Sequence, residues 1–261
     1  MSISGRSPGN PHPVDDNSGE APTRELHLGR ALAWLVLPPS IILAPLSAFL
    51  LFMVQRTDSH EPWHAWNLAW TTFDIGEEGN VAVWIASSFW LLLGALAILA
   101  ALTAGRFTKS WWLFATVAII ASADEAGQLH EKLFVVGDRM APYVPVDVHY
   151  NWVIPGALIA LLVGVLLLRL VLALHRRITI ALIAAGATFL TGALVIETIT
   201  GLVHRAQGEM TNLYFALMYI EETFELVGVA IAIIALGSMF RIARTGEGLL
   251  VRFDGFRPRP A

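Results

Sequence analysis

Seven carboxylates stand within or beside otherwise apolar stretches of the chain, where their chemistry could bind a metal ion or move protons: Asp124, Glu125, Glu131, Glu197, Glu221, Glu222 and Glu225. The nearby basic side chains are fewer: His130, Lys132, His204 and Arg205. An unpaired charge in an apolar environment is costly, so the acids cannot all stay ionised without help. We therefore expect either protonated acids or an extrinsic cation among them.

The mixture of residue types favours a divalent metal. The chain has no cysteine, and carboxylates with imidazoles suit Fe, Mn or Zn more than Cu(I). We expect six metal ligands: Asp124, Glu131, Glu197, His204, Glu222 and Glu225. Catalytic proton transfer would fall to Glu125 or His130. Glu197 and His204 are roughly 10 Å apart along a helix, so they would more easily bracket two metal ions than bind one.

These residues also have structural interpretations. Glu125, Glu131 and Lys132 fit an ordinary solvated helix end, and the deeper acids would be structural if they are protonated or paired. His130 and His204 would be structural if each simply hydrogen-bonds a carboxylate within the bundle. The Glu-x-x-His spacing of di-metal carboxylate bundles is absent around these residues.

That spacing occurs instead at Glu61 and His64, in a predicted outer loop over residues 55–79. His60, Glu61 and His64 alternate there with Trp63, Trp66 and Trp70. The alternation first indicates an interfacial amphipathic segment. A lid or an extra metal ligand is the second interpretation.

The surrounding elements are predicted to be membrane helices. Hydrophobic residues make up 56% of the 261 positions and charged residues 15%, and the mean hydropathy of +0.62 is too high for a soluble domain. Four uncharged runs are near the length needed to cross a bilayer: 31–54, 81–105, 152–168 and 178–196. Two further segments, 110–134 and 213–240, are interrupted by the acids. We predict an all-α integral membrane bundle of about six transmembrane helices.

Basic residues set the orientation, because Lys and Arg are retained on the cytoplasmic side. They are concentrated near both termini, near 106–109 and near 169–177, which predicts that both termini are cytoplasmic. The predicted domains are a disordered cytoplasmic tail (1–28), a six-helix transmembrane domain (29–243) and a basic cytoplasmic tail (244–261). The acids then lie near the extracytoplasmic face of the cell membrane. Membrane lipids are the expected partners, and a net charge of −4 argues against nucleic acid.

Three groups of residues carry a family resemblance: Phe73-Asp-Ile-Gly-Glu-Glu-Gly-Asn-Val-Ala-Val-Trp84 followed by Ser87 and Ser88, then Asp124-Glu125 with His130-Glu131, then Glu221-Glu222 before Gly228. The chain resembles, on these residues, a family of uncharacterised bacterial multi-pass membrane proteins. In that family Pro-Thr more often stands where this chain has Ala82 and Val83. The resemblance implies a shared helical bundle and a shared polar site, and it implies no particular activity.

Three functions fit this pattern. The first is a metal-dependent enzyme that acts from the outer leaflet on a lipid or other apolar substrate, by hydrolysis or by oxidation. The second is a proton- or cation-coupled transporter or sensor that uses the same acids. The inner halves of the helices carry almost no charge apart from Arg169, which argues against a polar route across the membrane. The third is a structural membrane protein whose acids only fix packing.

The orientation can be tested with single cysteines in this cysteine-free chain. A cysteine at Ser59 should react with a membrane-impermeant thiol reagent in intact cells, whereas one at Ser2 should react only after the cells are lysed. The reverse labelling pattern would place the acids at the cytoplasmic face.

Overall fold

A computed structural model describes residues 26–145, 148–208, 211–245 and 248–258. Helices dominate this part of the chain: α1 (Leu28–Arg56), α2 (His60–Phe73), α3 (Val81–Thr103), α4 (Thr108–Gly127), α5 (Phe134–Met140), α6 (Val153–Ala173), α7 (Arg176–Leu190), α8 (Glu197–Gln207) and α9 (Asn212–Gly237). Short 3-10 turns occupy Glu131–Leu133 and Ala141–Tyr143, and a π-helical turn, Thr191–Ile196, joins α7 to α8. The strands are β1 (Leu26–His27), β2 (Phe240–Thr245) and β3 (Gly248–Phe253).

Four helical segments are long and apolar enough to cross a membrane: Leu28–Arg56, Val81–Thr103, Val153–Ala173 and Arg176–Gln207. They correspond to the four uncharged runs of the sequence. The two acid-bearing segments also form long helices, α4 and α9, of 20 and 26 residues. Their acids keep them less apolar, so six crossings remain a proposal.

A small antiparallel sheet in the order β1-β2-β3 joins the segment before α1 to two segments after α9, and the all-α prediction omitted it. Strands β2 and β3 occupy the end of the predicted transmembrane domain and much of the predicted basic tail. The predicted N-terminal tail lies outside the described residues, apart from residues 26–28. Beside the sheet, the backbone N–H of His175 donates to the carbonyl of Gly255, and Phe107 packs on Phe256. All the loops predicted to be cytoplasmic therefore meet at one end of the bundle.

Helix α2 folds back along α1 and reaches into the bundle. The hydroxyl of Ser47 accepts a hydrogen bond from the backbone N–H of Ile75 at 2.9 Å and lies 3.3 Å from the carbonyl oxygen of Phe73. Ser47 lies nine residues before the end of α1 at Arg56, which is roughly 14 Å along the helix. The C-terminal end of α2, which was predicted to belong to an interfacial loop, therefore lies at this depth in the bundle. Residues 74–80 then connect α2 to α3 without helical structure.

Asn80 closes the gap between these two helices. Its side-chain amide donates to the carbonyl of Asp74 at 2.7 Å and to that of Thr71 at 3.2 Å, and its carbonyl oxygen accepts from the N–H of Val83. One side chain therefore caps the end of α2 and the start of α3. Gly79, with φ of +66°, supplies the turn. This explains the glycine and asparagine of the Glu-Gly-Asn motif.

Helices α3 and α4 pack closely through small residues. The hydroxyls of Ser87 and Ser122 each donate to the other residue's backbone carbonyl at 2.8 Å. Helix α4 ends at Gly127, because Gln128 takes a left-handed conformation with φ of 50° and the carboxylate of Asp124 accepts the backbone N–H of His130. Such side-chain bonds compete with helical ones. The prediction of a helix up to about residue 134 was therefore too long.

Helix α9 is the most buried helix, and it crosses α7 at Gly228. A Cβ at this position would lie 2.7 Å from the backbone nitrogen of Phe189 and 2.9 Å from the carbonyl oxygen of Ala185. Only a residue without a side chain permits so close a crossing. The crossing places the α9 acids beside the segment that carries Glu197.

Replacing Gly228 with Ala should cost about 1–3 kcal/mol of stability, because the added methyl group meets backbone atoms. The thermal unfolding temperature of the purified protein should fall by several degrees. The matched control is Gly186→Ala on α7, where a Cβ would meet nothing within 4 Å. That variant should be neutral, or more stable by up to about 1 kcal/mol from helix propensity. Equal effects at the two positions would contradict the close crossing.

Candidate metal centre

Three glutamates from two helices converge within the bundle. Glu197 is the first residue of α8, and Glu221 and Glu225 lie one turn apart on α9. Each offers one carboxylate oxygen, and these three oxygens lie within 4.8 Å of one another. Glu221 is only 7% exposed, and the other two are half-buried. Three carboxylates at this distance repel one another strongly unless protons or a cation compensate them.

The backbone around Glu197 lets the two helices approach closely. A Cβ at Gly192 would lie 2.8 Å from both the carbonyl oxygen of Glu221 and the Cγ of Glu225. Gly192 belongs to the π-helical turn, which widens the helix immediately before Glu197. Such turns are rare and are frequently found at functional sites.

Two neutral groups orient the carboxylates. The hydroxyl of Thr200 donates to Glu221 Oε2 at 2.8 Å, and the indole N–H of Trp152 donates to Glu197 Oε1 at 3.3 Å. Neither donor carries a charge. The hydrogen bonds fix the directions of the side chains and leave the negative charge of the cluster largely uncompensated.

A narrow cavity adjoins the cluster. Glu125 from α4 lines it together with Glu222 and Glu225 from α9, and the remaining lining is mostly apolar. Its volume is about 10 Å³, which is close to the room that a single water molecule needs. The cavity links the predicted catalytic residue Glu125 to the carboxylate cluster.

His130, the other predicted catalytic residue, forms an ion pair with Asp124. Its Nδ1 lies 3.0 Å from Asp124 Oδ2, and its ring packs on Trp152 with a centroid separation of 4.4 Å. Burial opposes the charged form of the imidazole, but the hydrogen bond and charge of Asp124 outweigh it and raise the pKa of His130. Trp152 contacts both His130 and Glu197, so its side chain connects His130 to the carboxylate cluster.

The remaining predicted ligands lie apart from the three clustered carboxylates. Glu131 is exposed at the start of a 3-10 turn. His204 joins an aromatic group, in which its Nδ1 lies 2.8 Å from the hydroxyl oxygen of Tyr150 and its ring packs against His149 and Tyr214. The structure thus brings Glu197 and Glu225 together with Glu221, and it adds Glu222 through the cavity.

Two acids were missing from the predicted site. Glu221 lies four residues before Glu225, and this i,i+4 spacing, which puts both on one helix face, was the signal that could have selected it as a ligand. Asp74 was assigned to an outer loop, and no pattern in the sequence marked it as buried. Its burial depends on the return of α2 into the bundle.

Asp74 ends α2 and is fully buried. Neither carboxylate oxygen has a hydrogen-bond partner among the described residues. Nearby, the hydroxyl of Ser47 donates to the carbonyl of Leu43, and the indole N–H of Trp70 donates to the hydroxyl of Tyr219. Burial is the main cause that raises the pKa of Asp74, and its position at the negative end of a helix dipole acts in the same direction.

The model of a family described as a domain of unknown function (DUF8692) matches residues 40–240, which contain α2 to α9 and every residue of the carboxylate cluster. No curated protein and no solved structure matches the chain.

The raised pKa of Asp74 predicts a pH-dependent effect of Asp74→Asn. The folded protein holds this proton more tightly than the unfolded chain, so the stabilisation is complete below the ordinary pKa of 3.8 and is lost as the pH rises through the raised value. Asn cannot ionise and avoids this loss. The unfolding temperature of the variant minus that of the wild type should therefore be higher at about pH 8 than at about pH 4.5, by about 2 °C or more.

The control for this comparison is Glu78→Gln, which alters an exposed acid in the same connection. It should shift the unfolding temperature little at either pH. A difference for Asp74→Asn that stays constant across the pH range would show that Asp74 does not hold a proton in the folded protein.

Proposed function

The chain belongs to the DUF8692 family, and we propose that it is a multi-pass membrane protein that binds a divalent metal ion at Glu197, Glu221 and Glu225. We further propose that it uses the ion in a reaction on a lipid or other apolar substrate. In this proposal six helices cross the cell membrane, both termini are cytoplasmic, and the site lies in the extracytoplasmic half.

The observation that carries the proposal is the approach of three carboxylate oxygens to within 4.8 Å of one another. A cation is the simplest compensation for this repulsion, since Thr200 and Trp152 donate hydrogen bonds without charge. Oxygen-only ligands suit Mn²⁺ or Mg²⁺ better than Zn²⁺, which prefers nitrogen and sulfur. Among the metals predicted from the sequence, Fe, Mn and Zn, the donor set therefore favours Mn.

The neighbouring groups supply proton transfer in this proposal. Glu125 lines the cavity that adjoins Glu225 and would accept or return a proton there. His130 is held by Asp124 and is favoured in its charged form, so it would act as a proton donor near Trp152. A divalent ion at such a site activates water or polarises a substrate oxygen. Glu222 is a further candidate ligand from the cavity side.

Access from lipid supports an apolar substrate. Helix α6 exposes most of its length, with only Val153, Pro155, Leu167 and Leu170 buried. It contacts α4, which carries Glu125, and also α7 and the π-helical turn that precedes Glu197. An acyl chain could approach the cluster between these helices without crossing water.

A cation- or proton-coupled transporter or sensor is the second candidate. Two helix interruptions favour it: the 74–80 connection near the cavity and the π-helical turn before Glu197. Transporters place such interruptions at their ion sites. Cation uptake by the reconstituted protein would distinguish this function from that of an enzyme or a static binding protein.

The metal proposal predicts opposite effects of a Gln variant with and without metal. Without metal, Glu221→Gln or Glu225→Gln should unfold at the same temperature as the wild type or higher, because one of three repelling charges is removed. With Mn²⁺ at about 100 times the dissociation constant, the wild type should gain about 2.7 kcal/mol. Each variant should bind Mn²⁺ at least about tenfold more weakly and so lose about half of this gain or more.

The measurements are thermal unfolding and the electron paramagnetic resonance of Mn²⁺ with purified full-length protein. Glu131→Gln is the matched control, because it neutralises an exposed acid outside the cluster. A wild-type protein that is neither bound nor stabilised by Mn²⁺ or Fe²⁺ would contradict the proposal. Mn²⁺ uptake into vesicles that Glu225→Gln abolishes would favour the transporter over the enzyme.

A further inference from the structure

A second constellation of metal-ligand type lies at the start of α2. The sequence there is His60-Glu61-Pro62-Trp63-His64, and the helix begins at His60. The two histidines are four residues apart, so they lie on the same face of the helix. Pro62 falls in the first helical turn, where its missing N–H costs nothing.

The two imidazoles face each other at a distance suited to chelation. Their Nε2 atoms lie 3.3 Å apart, and both side chains are exposed. Two ligands on a tetrahedral ion with Zn–N bonds of 2.0–2.1 Å must lie about 3.3 to 3.4 Å apart, whereas a right-angled pair would lie closer, at about 2.9 Å. The observed separation therefore matches the edge of a tetrahedral site.

The chemistry of the pair differs from that of the carboxylate cluster. Imidazole nitrogen suits Zn²⁺, Cu²⁺ and Ni²⁺, while carboxylate oxygen suits Mn²⁺ and Mg²⁺. The positions differ as well. His60 lies at the opposite end of α2 from Asp74, roughly 20 Å away along the helix, and Ile75, next to Asp74, lines the cavity together with Glu222 and Glu225. The pair is therefore a separate site whose existence does not rest on the proposed function.

We propose that His60 and His64 chelate a Zn²⁺-class ion on the face of the protein where α2 begins. Two Nε2 atoms supply two ligands and leave the other positions open to water or to a donor from another molecule. Trp63, whose ring packs 5.2 Å from that of His64 between centroids, limits the movement of one imidazole. Glu61 adds negative charge in the first turn, where the positive end of the helix dipole would otherwise oppose a cation.

The test uses full-length protein purified with a tag that contains no histidine and freed of metal with a chelator. Zn²⁺ binding is measured by titration calorimetry, and Co²⁺ serves as the spectroscopic probe because tetrahedral Co²⁺ absorbs visible light much more strongly than six-coordinate Co²⁺. The wild type should bind one Zn²⁺ at this site, and Glu225→Gln should leave it intact.

Single replacements should show that both histidines act on the same ion. His60→Ala and His64→Ala should each weaken Zn²⁺ binding at least about tenfold and abolish the tetrahedral Co²⁺ spectrum. The double variant should bind no more weakly than either single variant, because loss of one ligand already destroys the chelate.

A spacing variant separates chelation from the mere presence of two histidines. Moving the second imidazole by one position, with His64→Ala combined with Ala65→His, turns it about 100° around the helix. This variant keeps the number of histidines and should lose the site. Unchanged Zn²⁺ affinity in the single variants, or retention of the site in the spacing variant, would overturn the proposal and leave the pair as an imidazole–imidazole hydrogen bond.

Discussion

Negative charge buried among apolar helices is the constraint on which the rest of the structure depends. Glu197, Glu221 and Glu225 share one small volume, and Glu125 and Glu222 adjoin it. Thr200 and Trp152, which donate hydrogen bonds to Glu221 and Glu197, are neutral. In a medium of low dielectric, repulsion between such charges is far stronger than at a protein surface. The bundle nevertheless packs its helices closely at Gly192 and Gly228, which keeps the backbone segments that carry these acids near one another. Tight packing around mutually repelling groups is expected where a bound cation or a proton completes the structure.

Interruptions of the helices bring the polar groups close to the carboxylate cluster. At each interruption, the backbone N–H and C=O groups are hydrogen-bonded in a different way. Asn80 caps two helices where α2 meets α3. Where α4 ends, the carboxylate of Asp124 accepts a hydrogen bond from the backbone N–H of His130. The π-helical turn before Glu197 keeps its hydrogen bonds within the helix. Unsatisfied backbone groups are very costly away from water, so irregular backbone at this depth must be paired internally. The same interruptions make room for the cavity and bury Asp74, which links backbone geometry to the chemistry of the site.

The two ends of the bundle differ in composition and in construction. At one end the α3–α4 and α6–α7 connections meet around a three-stranded sheet, which ties the segment before α1 to the segments after α9. At the other end lie the histidines of α2, the aromatic group around His204 and the pair formed by Asp124 and His130. Hydrogen bonding holds the basic end together. The opposite end concentrates groups that titrate or bind ions.

The sequence by itself determined the class of the protein and the kind of chemistry it carries. Long uncharged runs predicted the four membrane-length helices because helix length and hydropathy are local properties, and acids within apolar segments identified α4 and α9 as the polar helices. Local periodicity placed Glu221 and Glu225 on one stripe, but it could not tell which of the adjacent acids, Glu221 or Glu222, would meet Glu197. That choice depends on how α8 and α9 are rotated about their axes, which is set by the contacts of Gly192 and Gly228 across helices distant in sequence. The burial of Asp74 and the pairing of Leu26 with Ile242 likewise arise from contacts between remote segments, and only the tertiary structure decided them.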